Sequence, residues 1–195
     1  MQLLRTIWLT AIFVFAAMAA TPRVQAAAAE YTIDPARTMV SFEVRNLGGI
    51  ASQRGKFNGA TGSVSLDAEG QSGSVDIVID ARSLEAGNAS VQKFMRGESL
   101  LNVEQFPEIT FKAVRVAFRN GEPRQIEGEL TLLGVTRPLS LNVTDYACNR
   151  AGDDRQQRCR MTASATFKRS SFGMTRYLSF TSDEVTLAIR TESEG

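Results

Sequence analysis

Histidine is absent from all 195 residues. That absence removes nucleophile systems that rely on an imidazole base, histidine-ligated zinc, and haem held by an axial histidine. Cysteine is scarce, with two residues and no Cys-x-x-Cys spacing, so neither a dithiol redox pair nor a cysteine-rich metal site is supported. No glycine-rich phosphate loop stands between a strand pattern and a helix pattern. Charge of one sign is also lacking: the formal net charge is +1, which gives no electrostatic footprint for a nucleic-acid partner.

Long apolar runs are confined to the N-terminus. Arg5 precedes an apolar stretch of 14 residues, Ile7 to Ala20, and Val24-Gln-Ala26 offers small side chains at the positions a signal peptidase reads. The run is shorter than the roughly 20 residues of a spanning helix, which predicts a secretory leader over 1–26, cleaved after Ala26. No cysteine lies near that site to take a lipid, so no stable membrane anchor is expected. The remaining 27–195 form one domain of 169 residues. Loss of Arg5 and Arg23 leaves 20 basic against 21 acidic residues, a net charge of −1. A periplasmic or secreted location follows.

The cysteines suit export. Cys148 and Cys159 bracket Asn149–Arg158, ten residues with five charges and a Gly-Asp turn, which reads as a solvated hairpin tip tied by a disulfide.

What remains is strand after strand. Val40, Phe42 and Val44 alternate with polar residues, as do Val75, Ile77 and Ile79. Ile109, Phe111 and Ala113 keep one phase and Val114, Val116 and Phe118 the other, the signature of a β-bulge. Ile126, Leu130 and Leu132, then Leu139, Leu141 and Val143, flank a Gly-Val-Thr-Arg-Pro break and predict a hairpin. Met161, Ala163, Ala165 and Phe167, and later Val185, Leu187 and Ile189, complete about eight strands. Asn88–Gly97 interrupts them with a helical pattern, Asn88 as N-cap and Gly97 as stop. Ser99–Phe106 offers a second turn before Pro107. The fold class predicted is all-β: an antiparallel eight-stranded barrel with one or two short helices inserted near the middle.

The inward set mixes large and small residues: Phe42, Phe57, Phe111 and Phe167 beside Ala60, Gly62, Ala113, Gly128, Ala163 and Ala165. Small residues in an eight-stranded barrel leave room for a ligand, or else accommodate large neighbours in ordinary packing. Periodicity fits both. Asp67–Gly70 and Gly152–Asp154 lack the spaced oxygens of a calcium loop, and the sequons at Asn88 and Asn142 say nothing about activity. No spacing marks a carboxylate pair as catalytic. A histidine-free hydrolase or isomerase is therefore a lesser alternative, and no cofactor or metal site is expected.

The segments YTIDPARTMVSFEVRNLGG, GKFNGATGSVSLD, SVDIVIDARSLEAGNASVQKFMRGESLLNVEQFPEITFKAVRV, IEGELTLLGVTRPLSLNV and SSFGM stand in the order seen in the YceI-like family, and the chain resembles that family from about Tyr31 to Thr191. The most specific pieces are Phe106–Phe111 and, about twenty residues on, Gly128–Pro138. The resemblance implies a secreted bacterial protein with a lipocalin-like barrel holding a polyisoprenoid lipid, a polyprenyl chain or prenylquinone. The Gly-x-Trp signature of true lipocalins is missing, since the one tryptophan is Trp8.

Carried over position by position, the lining would be Phe42, Val44, Phe57, Ile77, Ile79, Ile109, Phe111, Leu130, Leu132, Leu141 and Phe167, with Ala163 and Ala165 leaving space. Phe94 and Met95 of the insert, and Phe172 and Met174, would sit near a barrel end, with a head group among Arg45, Lys93 and Arg96. Family members often carry histidines in the first strand and the insert. Arg37, Arg45, Phe94 and Met95 occupy that neighbourhood here, so no histidine role transfers. The competing reading is a structural or chaperone-like module with a filled core. The oligomeric state is not legible.

Overall fold

The structure, a computed structural model, describes residues 28–46, 51–67, 69, 71–150 and 157–194. The expected leader and its cleavage site lie outside the described residues, as do residues 151–156, which the sequence predicts to form a solvated tip between the cysteines. The acidic turns at Asp67–Gly70 and Gly152–Asp154 also fall there, in part or whole.

Among the described residues, period-two patterns become eleven strands in one sheet. These are β1 (Ala29–Ile33), β2 (Met39–Asn46), β3 (Ser52–Phe57), β4 (Ala60–Asp67), β5 (Ser72–Asp80), β6 (Leu84–Ala86), β7 (Glu108–Arg119), β8 (Glu122–Leu132), β9 (Val135–Arg150), β10 (Gln157–Lys168) and β11 (Thr181–Glu194). The first six are three broken staves. β1 and β2 both run along β11, with Ile33 opposite Ser193 and Met39 opposite Arg190. β4 and β3 pair with β1 and β2 in turn, and β5 and β6 with β4 and β3. Three broken and five continuous staves close an antiparallel eight-stranded barrel, as the alternation predicts.

The breaks are held by side chains. Ser83 Oγ, in the 3-10 turn Ala81–Ser83, donates to Asp80 O (2.6 Å) and accepts from the amides of Asn58 and Gly59 (3.2 and 3.1 Å), tying one break to the next. At the first break, the hydroxyls of Thr38 and Thr191 meet at 2.8 Å, buried.

The predicted bulge falls at Val114: Ala113 faces Gly128, but Arg115 faces Glu127. Val114 is turned out to solvent, 90 % exposed, and Val116 resumes the inward face. The hairpin turns earlier than its Pro suggests. Leu133 and Gly134, both at positive φ, make a two-residue turn, and Val135–Pro138 already belong to β9.

One side of the barrel is split. β9 and β10 pair from Arg150–Gln157 only as far as Asn142–Ser164; above that, β9 pairs with β8 alone and β10 with β11 alone. Pro138, with no N–H to donate, stands where β9 has lost β10 and pairs with β8 alone, opposite Glu129, an edge position at which a proline is tolerated. The buried ring of Phe172 lies at the split, edge-on to Phe167 with centroids 5.2 Å apart.

The insert contains one helix, α1 (Ala89–Arg96), capped by the Asn88 carbonyl oxygen on the amides of Ser90 and Val91. The predicted second helical turn is instead a chain of turns, with Asn102 N bonded back to Gly97 O and Phe106 N to Asn102 O. Arg96 anchors α1 to the barrel rim by donating from Nη2 to Leu84 O (2.6 Å). Among the described residues no helix is long and apolar enough to cross a membrane.

The end of the barrel formed by β1 and the β9–β10 hairpin is solid. Tyr31, Ile33, Val64, Leu66, Val75, Val116, Ile126 and Val143 bury one another there. Cys148 and Cys159 are cross-strand partners in that hairpin and form the expected disulfide, with Cα atoms 4.1 Å apart. That is closer than a loop-tip bridge requires, because the two residues face each other directly in the ladder. The Tyr146 hydroxyl lies 2.9 Å from Cys148 Sγ, and burial, assisted by the neighbouring Tyr31, pushes it up to about 12.

Candidate functional site

The opposite end is hollow. An apolar cavity of about 460 Å³ occupies it, within the span of roughly 300–1,000 Å³ usual for ligand sites. The wall comes from β2 and β3 (Val40, Phe42, Val44 and Phe57), from Ile79, Ile109, Leu130 and Leu132, and from Phe167, Val185 and Leu187. Val91, Phe94 and Met95 of α1, with Leu100 and Leu101 after it, line the top; Met174, Tyr177 and Phe180 complete the rim.

The floor falls at one level across several staves. Ile79 lines the cavity and Ile77 does not; Ile109 does and Phe111 does not; Phe167 does and Ala165 does not. The cavity is therefore blind, and does not run through the barrel. Of the residues placed at the lining by sequence, Phe42, Val44, Phe57, Ile79, Phe94, Met95, Ile109, Leu130, Leu132, Phe167 and Met174 reach it. Ile77, Phe111, Leu141, Ala163, Ala165 and Phe172 do not; they pack below the floor or, for Ala165 and Phe172, along the split.

The small residues fail to make room for a physical reason. A side chain at Gly128 would meet the Phe111 ring at 2.7 Å and Ala113 Cβ at 2.8 Å, and one at Gly55 would meet the Phe42 ring at 2.5 Å. At these two glycines the missing volume is already occupied by an aromatic neighbour, which is close packing rather than a void.

Few polar groups reach the cavity: Asn46, Gln53, Thr181, the Tyr177 hydroxyl and Arg169. Arg45, Lys93 and Arg96 do not line it, so the head-group surroundings expected from the sequence are not assembled there. Arg169 carried no sequence signal. It begins the 3-10 turn Arg169–Phe172 and is buried. Its Nε donates to Ser182 O (3.0 Å), Nη1 to Met174 O (3.0 Å) and Arg176 O (2.8 Å), and Nη2 to Thr181 Oγ1 (2.7 Å). Burial lowers its pKa and the nearby Asp183 opposes that. Asp183 in turn accepts from Ser170 N (2.9 Å) and Ser170 Oγ (2.7 Å), and those bonds hold its carboxyl below its usual range. The guanidinium thus fixes the segment that carries Tyr177 and Phe180 to the rim.

Val40, Val185 and Leu187 share a phase with residues singled out by sequence, and their periodicity could have found them. Phe180 and Tyr177 lie outside any strand pattern. Among the described residues no cluster of three or more Cys, Asp or Glu stands ready to hold a metal ion.

Comparison with known proteins agrees with this architecture. The family model described as a YceI-like domain matches residues 31–193. A UPF0312 protein of Yersinia pestis (strain Pestoides F) is 33 % identical over 172 residues, covering 86 % of this chain and 87 % of the relative. The crystal structure of Burkholderia cenocepacia BcnA superposes with a TM-score of 0.62 at 22 % identity, over 82 % of this chain and 98 % of that one. A polyisoprenoid binding domain from Saccharophagus degradans, implicated in plant cell wall breakdown, gives 0.62 at 16 % identity, over 85 % and 98 %. The sequence matches carry the family and the structures carry the barrel: this chain belongs to the YceI-like domain family.

Proposed function

We propose that the chain is a carrier for a long isoprenoid lipid, a polyprenyl chain or prenylquinone, held tail-inward in the blind cavity for storage or transfer. The observation that carries this reading is the cavity itself, lined mainly by apolar side chains in a barrel whose other end is closely packed. The polyisoprenoid-binding neighbour supports the ligand class.

Burying a chain from water contributes about 0.8 kcal/mol per CH₂-sized group. A lipid taken from a membrane is already dry, so its net transfer into the cavity is close to neutral. Such a site suits reversible holding and exchange across an aqueous compartment. The polar groups at the cavity, two amides, two hydroxyls and an arginine engaged with its own rim, offer no base for neutral pH, which favours binding over catalysis. The disulfide and the leader read from 1–26 favour the periplasm or the exterior.

The test is mass spectrometry of an organic extract of the purified protein, followed by titration of stripped protein with geranylgeraniol. A prenyl lipid in the extract and saturable uptake are expected. An empty protein that takes up no prenol would instead favour the structural-module reading.

A further inference from the structure

The lip of the cavity carries three of the largest exposed apolar side chains among the described residues. Phe180 is 72 % exposed, Phe94 47 % and Tyr177 41 %, and all three also line the cavity. They come from two separate segments, with the rings of Phe94 and Tyr177 5.5 Å apart. The sequence neighbour before two of these rings is basic: Lys93 precedes Phe94 and Arg176 precedes Tyr177. Both cations are exposed, and neither forms an ion pair among the described residues. Arg176 reaches only Ser99 Oγ, at 3.5 Å.

We propose that this rim is a docking surface for an anionic lipid bilayer, through which the cavity loads and unloads; the proposal rests on the lipid-carrier reading above. Aromatic rings flanked by cations suit the headgroup boundary, where the ring enters the apolar phase and the charge meets anionic lipid. The cavity opens directly behind the rings, so a chain passing from bilayer to barrel stays out of water. Phe180, on the segment fixed by Arg169, is the side chain placed to enter deepest.

Flotation of the full chain with phosphatidylglycerol–phosphatidylethanolamine vesicles, against pure phosphatidylcholine vesicles, tests this. The parent should float with the anionic vesicles and much less with the neutral ones. Phe180→Asp should lower the partition by about tenfold or more, the consequence of losing one buried phenyl ring. Lys93→Gln and Arg176→Gln should each lower it about fivefold. Because neither cation lines the cavity, both variants should take up geranylgeraniol in vesicle-free solution as the parent does. A parent that does not float, or a Phe180→Asp variant that floats equally well, overturns the docking surface. Dimerisation that depends on Phe180, without flotation, overturns it in favour of contact between copies. Flotation by a parent that takes up no prenol upholds the surface and overturns the carrier function.

Discussion

The same staves build both ends of this barrel, and the two ends use their inward residues in opposite ways. At the disulfide end, Ile126, Val116, Val143 and Tyr31 bury one another in the interior, and above them Gly128 lies under the ring of Phe111. At the other end, Val40, Leu132, Val185 and Leu187 face a void. The difference arises at the margins of the staves. At the hollow end the wall is interrupted twice, by the α1 insert where the third stave stops at β6 and by the split between β9 and β10. A wall held apart by an insert cannot bring opposite side chains together, and the space between them stays open.

The comparison breaks most clearly under truncation. Ile126→Ala, in the solid end, should cost about 2–5 kcal/mol in urea unfolding, because its neighbours cannot close around the gap. Leu132→Ala should cost less than half of that, since one side of Leu132 already faces empty space. Equal costs would mean that the hollow end is packed in solution.

Removing the bridge is expected to come next in size. Replacing Cys148 and Cys159 by serine together should lower stability by about 2–3 kcal/mol, the range for a short closed loop. Prenol uptake by the folded fraction should not change, because the disulfide lies in the solid end. A parallel loss of uptake would show that the two ends are coupled.

Enlargement sharpens the contrast from the other side. Ala163→Phe should cost about 1–3 kcal/mol through overpacking below the floor. Leu187→Trp should instead enter the cavity, lower geranylgeraniol affinity by about tenfold or more, and shift stability by less than about 1 kcal/mol. If Ala163→Phe abolished uptake with stability intact, the floor would lie lower than described.

How far the sequence carries this contrast depends on the residue. Strand phases, the bulge at Val114 and the Asn88 cap are local events, written in neighbouring residues. The hollow end is not local. A period-two face looks the same whether it covers a side chain or a void, so Ile109 and Phe111 are indistinguishable along β7 although only the first lines the cavity. Ala163 and Ala165 suggest room, but whether it exists depends on what faces them across the barrel. Arg169 is invisible for the same reason: its role lies in carbonyls brought to it by the following turn.

The smallest effect expected concerns the rim. Asp183 has a depressed pKa through its bonds to Ser170, so its contribution is present above the unfolded carboxyl's pKa and is lost as pH falls through the folded value. Stability against pH should therefore fall less on acidification in Asp183→Asn than in the parent. Identical acid limbs would remove Asp183 from the account of the rim.

The most direct test of a hollow end that holds an apolar chain is a titration followed by methyl NMR. With geranylgeraniol added to stripped protein, the methyls of Leu130, Leu132, Val185 and Leu187 should shift and saturate together, while those of Val64, Leu66, Val116 and Val143 stay in place. Saturable shifts centred on Val143 and Ala163, with the first group unmoved, would put the ligand in the wrong half of the barrel and contradict the account.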